Sequence, residues 1–150
     1  MTERVDFYVL DAEDSRQRWV IACRLAEKAY LRELRAVLLA NSAGDARALD
    51  QLLWTFSDRS FVPHDRFEER LAAESAAPVH LSADAASAPP ADVLVNVSDR
   101  LPEGFERYRR VAEVIDGEPR RRELARARFK AYRELNLAVE THPLRDGAEP

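Results

Sequence analysis

Five residues near the C-terminal end of the chain carry the side chains best suited to bind a ligand. These residues are Arg122, Arg126, Phe129, Lys130 and Arg133. Their spacing of i, i+4, i+7, i+8 and i+11 places them on one face of an α-helix. Guanidinium groups pair with carboxylates, and an aromatic ring beside them can contact an apolar group. The face therefore predicts a site for a ligand that combines carboxylates with an apolar anchor.

The charge of this helix differs from that of the rest of the chain. Residues 120–133 contain seven Lys or Arg and one Glu, a net charge of +6, whereas the other 16 basic and 26 acidic residues give −10. Uncompensated charges repel one another, which weakens the alternative of a merely solvated face. A second alternative is direct binding of single-stranded DNA, with stacking on Phe129 or Tyr132. The acidic body of the protein disfavours it.

A second segment, residues 52–64, contains apolar side chains that a core does not explain. Trp54 lies off the inward face of the helix predicted for residues 45–56, because each residue turns the helix by about 100°. The inward face is predicted to contain Ala48, Leu49, Leu52, Leu53 and Phe56. Trp54, Phe61, Val62 and Pro63 predict an exposed apolar patch of the kind found at protein interfaces. The alternative, in which Trp54 and Phe61 cover the sheet edge, stays open.

Motifs for nucleotide binding are not found. The chain has four glycines, at positions 44, 104, 117 and 147, and they are too dispersed for a G-x-G-x-x-G motif. A G-x-x-x-x-G-K-[ST] loop does not occur either. Main-chain amides approach a pyrophosphate closely only where such glycines leave room. A nucleotide site is therefore not expected, and a degenerate nucleotide enzyme is kept only as a rival hypothesis.

Motifs for metal binding and for nucleophilic catalysis are not found either. His64, His80 and His142 lack ligand spacing to one another and to Cys23. Cys23 lies on the apolar stripe of the first helix, which favours a small buried hydrophobic residue over a catalytic thiol. A G-x-S-x-G motif does not occur. The sequence predicts no cofactor, no metal and no enzymatic activity.

The order of elements predicts how these residues are positioned. Strands are expected at 5–10, 35–40, 79–81, 92–97 and 111–116, and helices at 16–34, 45–56, 66–76, 102–110 and 119–136. This alternation predicts an α/β domain with a mostly parallel central sheet. The last helix is expected to bury Leu124, Ala131 and Leu135, and residues 82–91 to form an exposed connection. Residues 1–140 are expected to form a single domain, and residues 141–150 a frayed tail.

Composition predicts the compartment. A single cysteine cannot form an intramolecular disulfide, and the first residues, MTERVDFYVLDAED, lack the pattern of a signal peptide. Apolar runs do not approach the roughly 18 residues of a membrane span. The expectation is a cytoplasmic protein without membrane contact.

Six stretches of the sequence resemble one protein family. They are FYVL (7–10), LDQLLWTFSDRSFVPH (49–64), APV (77–79), DVLVNVSD (92–99), RVAEVID (110–116) and LARARFKAYRELNL (124–137), and the helix that begins near Arg18 resembles the same family. In this order, over nearly the whole chain, they resemble the chi subunit of the bacterial DNA polymerase III holoenzyme. The W…SFVPH and ARxRFKxYR stretches are the most specific.

The resemblance implies a fold, a role and two partners. The fold would be a Rossmann-like three-layer domain without a nucleotide site. The role would be that of a non-catalytic accessory subunit that contacts DNA only indirectly, in the replisome at the nucleoid. The acidic, phenylalanine-ended C-terminal tail of single-stranded DNA-binding protein (SSB) would bind at Arg126 and Phe129, supported by Arg122, Lys130 and Arg133. The psi subunit of the clamp-loader complex, or a repair helicase, would bind at Trp54, Phe61, Val62 and Pro63.

Two departures from the family pattern carry expectations of their own. Relatives usually have a glycine at the turn before the second strand, where this chain has Leu31-Arg32-Glu33-Leu34, so an altered helix end is expected. Some relatives have a tyrosine where this chain has Phe129. A hydroxyl hydrogen bond to the SSB tail is therefore expected to be absent.

Overall fold

The computed structural model describes residues 1–57, 62–66, 77–86, 88–145 and 150. Its strands are β1 (Arg4–Leu10), β2 (Ala36–Leu39), β3 (His64–Arg66), β4 (Val79–Ser82), β5 (Val93–Asn96), β6 (Arg110–Ile115) and β7 (Ala138–Leu144). Its helices are α1 (Ser15–Leu31), α2 (Ala43–Thr55) and α3 (Pro119–Glu134), with a 3-10 helix at Phe105–Arg107. The helix predicted for residues 66–76 lies outside the described residues, except for Arg66 at the end of β3.

The seven strands form one sheet in the order β3-β4-β2-β5-β6-β1-β7, and every pairing in it is parallel. The predicted α/β fold with a mostly parallel sheet is confirmed. Crossover connections between parallel strands are right-handed. Because β1 to β2 and β6 to β7 run in opposite directions along the sheet, α1 and α3 cover opposite faces.

Two cores lie on the two faces of the sheet. On the face covered by α1 and α2, the core is aliphatic and includes Ile21, Leu38, Leu49 and Leu81. On the face covered by α3 and the 3-10 helix, the core is rich in aromatic residues and includes Phe7, Phe105, Tyr108 and Tyr132. We refer to the two faces of the sheet as the α1–α2 face and the α3 face.

None of the described helices is both long and apolar enough to cross a membrane.

Two segments expected to be exposed are part of the folded domain. Residues 141–144 belong to β7, which pairs with β1 from Arg4↔Ala138 to Leu10↔Leu144, so the expected frayed tail is wrong for them. The sequence did not indicate this strand because β7 is an edge strand with polar residues in its middle, and only its Leu144 is buried. The connection at 82–91 is not simply exposed either. Ala85 and Ala88 are buried in the α3-face core, and the Tyr108 hydroxyl donates to Ala85 O at 3.1 Å.

The buried stripes of α2 and α3 differ from those expected. In α2 the buried residues are Ala46, Leu49 and Leu53, whereas Ala48 is exposed. In α3 they are Ala125, Arg128 and Tyr132, whereas Leu135 is 55% exposed. Apolar residue type alone predicted the stripe of α3 wrongly, because an arginine and a tyrosine are buried there with a polar partner on the sheet.

Open parallel sheets bind ligands in the crevices where neighbouring strands connect to opposite faces. In this chain the β1/β6 crevice is closed by its own backbone, because Gly117 N–H donates to Ala12 O at 2.9 Å. A Cβ on Gly117 would lie 2.5 Å from Asp11 O. The β2/β5 crevice is closed by Asn41 and Asp99, whose side chains and backbone exchange hydrogen bonds of 3.1 and 2.8 Å. The chain's own residues therefore occupy both crevices.

Candidate functional site

A pocket of about 170 Å³ lies between α3 and the strands β1, β6 and β7. Phe7, Val9, Ile115, Ala125 and Phe129 form its apolar part, and Arg122, Arg126 and Thr141 its polar part. Three of the five predicted residues of the basic face line this pocket. Three of the five apolar lining residues lie on strands, which the sequence of the helix alone could not show.

The two arginines of the pocket differ in how they are held. Arg122 is half-buried, and its guanidinium donates to Leu10 O at 3.0 Å and to Asp116 O at 3.3 Å, at the ends of β1 and β6. Arg126 is exposed and forms no hydrogen bond or ion pair within the part of the chain that the structure describes. Arg122 thus supplies a fixed positive charge, and Arg126 has all its donors available for a ligand.

Aromatic contacts fix the position of Phe129. Its ring centroid lies 5.3 Å from that of Phe7 at an interplanar angle of 58°. The guanidinium carbon of Arg133 lies 5.9 Å from the Phe129 ring centroid, within the range of a cation–π contact. Arg133 therefore helps to hold the Phe129 ring in place and does not itself line the pocket. The ring of Phe129 is half-buried, so part of it remains available to an apolar group of a ligand.

Lys130, the fifth predicted residue, lies on the outer surface of α3. Its side chain is 79% exposed and its Nζ is 3.9 Å from Glu134 Oε1. Exposed pairs of this kind contribute little energy. Lys130 can attract an acidic ligand at long range, but it does not form part of the pocket wall.

The N-terminus of α3 is fixed by two carboxylates. Glu118 caps the helix and accepts hydrogen bonds from the backbone N–H groups of Arg120 and Arg121, which lower its pKa. Asp116 accepts two hydrogen bonds of 2.8 Å from the Arg121 guanidinium. Burial alone would raise the pKa of Asp116, but the bonds from Arg121 and from the Glu118 N–H keep it below its usual value. The helix therefore begins at a defined point beside the pocket.

A buried polar cluster lies beneath α3, centred on Glu113 of β6, which is fully buried. Asn96 Nδ2 donates to both carboxylate oxygens at 3.1 and 3.0 Å, and Arg128 Nε donates to Oε1 at 3.1 Å. The Tyr132 hydroxyl donates to Oε2 at 2.7 Å. Burial raises the pKa of Glu113, and the Arg128 charge opposes that effect. Burial and the Glu113 charge raise the pKa of Tyr132. We call these four residues the Glu113 cluster.

The second predicted surface lies on the α1–α2 face. Trp54 is 50% exposed, and its ring lies on that of His64, with centroids 4.7 Å apart at 53°. Pro63 is half-buried, whereas Val62 is 1% exposed and packs in the aliphatic core. Phe61 lies outside the described residues. Trp54 is thus neither fully exposed nor folded away, and Val62 supports this surface from below without forming part of its exterior.

His64 holds Trp54 from beneath. Its side chain is fully buried, and Nδ1 lies 2.5 Å from Val62 O. Nε2 lies 3.1 Å from Asp50 Oδ1, an ion-pair distance without hydrogen-bond alignment. Oxygen atoms of the loop and of α2 therefore face both ring nitrogens. This arrangement fixes the imidazole on which Trp54 rests.

Comparison with known proteins identifies the family. The family model described as DNA polymerase III chi subunit, HolC, matches residues 1–140. The chain belongs to the DNA polymerase III chi subunit family. This makes it an accessory subunit of DNA replication, which fits a protein without enzymatic activity of its own.

Three relatives are named DNA polymerase III subunit chi. The Pseudomonas aeruginosa protein is 36% identical over 141 residues, which cover 94% of this chain and 96% of the relative. The Escherichia coli (strain K12) protein is 25% identical over 122 residues, covering 81% and 82%. The Haemophilus influenzae protein is 24% identical over 143 residues, covering 93% and 98%. Because the alignments span most of both chains, the family assignment applies to the domain as a whole.

The sequence of this chi-family chain did not reveal the Glu113 cluster in advance. Two signals for it were present: a lone Glu113 inside the otherwise apolar strand VAEVI, and Arg128 and Tyr132 four residues apart on one helix face. A buried carboxylate requires hydrogen-bond donors, and a helical pair of donors facing its strand could have been matched to it.

Two other sets of side chains are of types that can bind a metal or act as a nucleophile. Asp6, Glu140 and His142 have ligand atoms within 4.8 Å of one another. Arg4 pairs with both carboxylates at 2.8 and 2.7 Å, and His142 Nε2 lies 2.8 Å from Asp6 Oδ1, so the guanidinium of Arg4 already balances the charge of these carboxylates. Cys23 is buried, and burial raises the pKa of its thiol to about 12. Such a thiol is not a nucleophile at neutral pH.

Proposed function

We propose that this chi-family chain is a physical link between SSB and the clamp-loader complex. The pocket beside α3 holds the acidic, phenylalanine-ended tail of SSB, and the Trp54 surface holds the psi subunit or a repair helicase. The observation that carries the proposal is the combination in one pocket of an apolar floor, a fixed Arg122 and an Arg126 with available donors.

The pocket suits such a tail for three reasons. A terminal phenylalanine side chain would contact Phe129, Phe7 and the neighbouring aliphatic residues. Its carboxylate would pair with Arg126, since a guanidinium can bind both carboxylate oxygens at once. Acidic residues preceding it would remain in the positive field of α3. Each contact is modest, so the several tails of one SSB oligomer would act together through effective concentration.

The Trp54 surface suits a different kind of partner. A half-exposed indole on a rigid support is typical of the residues that dominate binding energy at protein interfaces. The surface lies on the α1–α2 face and the pocket on the α3 face, so both partners could bind at once. This arrangement is what a linking subunit requires.

Calorimetry with a synthetic acidic peptide ending in phenylalanine tests the tail-binding role. We expect Arg126→Ala to weaken binding at least tenfold, about 1.4 kcal/mol or more, because a charge-assisted contact is lost. Arg120→Ala is the matched control, because Arg120 is an exposed arginine of the same helix that does not line the pocket. Equal losses in the two variants, or equal affinity for a peptide lacking its final phenylalanine, would contradict the proposal.

Direct binding of single-stranded DNA is less well supported by the geometry. It would rely on bases stacking on Phe129 or Tyr132. Tyr132 is fully buried, and Phe129 packs against Phe7. A gel shift with an oligonucleotide in the absence of SSB measures this alternative. We expect no shift at physiological salt.

A further inference from the structure

The Glu113 cluster joins α3 to the sheet at two points of the helix. Arg128 and Tyr132 are four residues apart, so they lie on the same side of α3 one turn from each other. Each donates to a different oxygen of one carboxylate. The strand side is fixed independently, because Asn96 bonds to both oxygens and Ser98 N–H donates to Asn96 Oδ1 at 3.0 Å. These contacts define both the rotation and the axial position of α3.

The residues that bind to Glu113 alternate with the residues of the pocket. Ala125 and Phe129 each precede one of the anchoring positions by three residues, and Arg126 lies two residues before Arg128. Rotation of α3 by one residue would turn the helix by about 100° and move Arg126 and Phe129 away from the pocket. The hydrophobic contacts of the helix are less directional than these hydrogen bonds.

Tyr132 connects the cluster to the aromatic contacts of the pocket. Its ring centroid lies 6.0 Å from that of Phe7 and 5.2 Å from that of Phe105. Phe7 in turn contacts Phe129, the aromatic residue of the pocket. A displacement of the Tyr132 hydroxyl therefore moves the Tyr132 ring, which contacts Phe7 in the lining of the pocket.

We infer that Glu113 is the positioning residue of the α3 pocket: through Arg128 and Tyr132 its carboxylate sets the helix rotation that places Arg126 and Phe129 for an acidic peptide. This inference rests on the proposed function of the pocket for its ligand. The positioning role adds residues outside the proposed binding site, because Glu113, Arg128 and Tyr132 do not line the pocket. They act on binding through the helix and, in the case of Tyr132, through its ring contact with Phe7.

Two conservative variants test the inference without altering the lining of the pocket. Tyr132→Phe removes one donor and keeps the ring. Glu113→Gln keeps the volume but turns an amide NH₂ toward groups that are themselves donors. For both, we expect affinity for the acidic peptide ending in phenylalanine to fall roughly three- to tenfold. For Tyr132→Phe, the slope of log affinity against log salt should equal that of the original chain, because this variant changes no charge. Amide exchange in α3 should be faster.

The control variant is Leu53→Val, which loosens the core on the opposite face of the sheet. Urea unfolding measures how much stability is lost in Leu53→Val and how much is lost in Tyr132→Phe. We expect Leu53→Val to leave peptide affinity and α3 exchange unchanged. The inference is overturned if Tyr132→Phe and Glu113→Gln bind the peptide as the original chain does, or if Leu53→Val weakens binding equally. If the original chain binds no peptide, the proposed function fails. In that case, normal exchange of α3 in the two variants would still refute the positioning role.

Discussion

The two faces of the sheet support the two proposed partner surfaces by different means. On the α1–α2 face, Trp54 stands above an aliphatic core and its ring contacts the buried imidazole of His64. On the α3 face, the pocket stands above aromatic residues and a carboxylate with three side chains bonded to it. A single half-exposed ring needs support at one place. A pocket with two guanidinium groups and a ring needs the whole helix in one orientation.

This difference accounts for the buried ion pair of Glu113 and Arg128 on the α3 face. Burying Glu113 and Arg128 together is costly, and an apolar pair of similar volume is often as stable. Hydrogen bonds, however, define a direction that an aliphatic contact does not. The α3 face therefore combines a large desolvation cost with a defined helix rotation. The α1–α2 face also buries charged side chains, Arg18 and Asp6, but Arg18 donates to the backbone carbonyls of Val97 and Val114 and forms no ion pair within the described residues.

The largest expected effect comes from breaking the cluster on one side only. Glu113→Leu leaves the buried Arg128 without its counter-charge, so we expect the free energy of unfolding to fall by about 3–5 kcal/mol. Replacing both residues, as Glu113→Leu with Arg128→Met, should recover a substantial part of that loss, because no uncompensated charge remains. Urea unfolding of the two single variants and the double variant measures the coupling. Strictly additive losses would show that the two residues are not energetically paired.

A smaller effect on stability, and a larger one on binding, is expected at Trp54. Trp54→Ala removes a half-exposed ring, so we expect a loss of about 1 kcal/mol in stability from the buried part of its surface. Affinity for the psi subunit or the helicase should fall by about 2 kcal/mol or more, as for an interface hot spot. Titration of the purified partner against the variant measures this loss.

The same variant also tests the separation of the two faces. Affinity of Trp54→Ala for the acidic peptide should equal that of the original chain, because the pocket is on the opposite face of the sheet. The reciprocal control is Arg126→Ala, which should bind the psi subunit or the helicase normally. Loss of peptide binding in Trp54→Ala would show that the two surfaces are coupled.

The sequence predicted most of the fold and part of the site. Strands β1, β2, β5 and β6 were recognisable because they are short and rich in β-branched and aromatic residues. Strand β7 was missed because an edge strand with one solvated face contains Glu140, Thr141 and His142 and has little hydrophobic signal. The basic face of α3 was recognisable from helical spacing. The floor of the pocket was not, because β1, β6 and β7 become neighbours only in the folded sheet.

The end of α1, where an altered turn is expected, offers the prediction with the smallest expected effect in this comparison of the two faces. Two residues after the last residue of α1 and of α3 lies a residue of positive φ, Glu33 at 61° and Asn136 at 62°. At α1 the closing bonds are Glu33 N–H to Tyr30 O at 3.0 Å and Leu34 N–H to Ala29 O at 2.9 Å. This pattern usually has a glycine at the left-handed position. Asparagine tolerates that conformation better than glutamate does.

Glu33→Gly should therefore stabilise the chain by about 0.5–1 kcal/mol, because the exposed Glu33 side chain is replaced at a position where a Cβ is strained. Asn136→Gly is the matched variant on α3, and we expect a smaller gain from it, since less strain is relieved. Thermal unfolding of the two variants measures the difference. A larger gain at Asn136 would mean that backbone strain is concentrated at the end of α3, the helix that the Glu113 cluster holds in place. The two faces would then differ in backbone strain as well as in the partners of their buried charges.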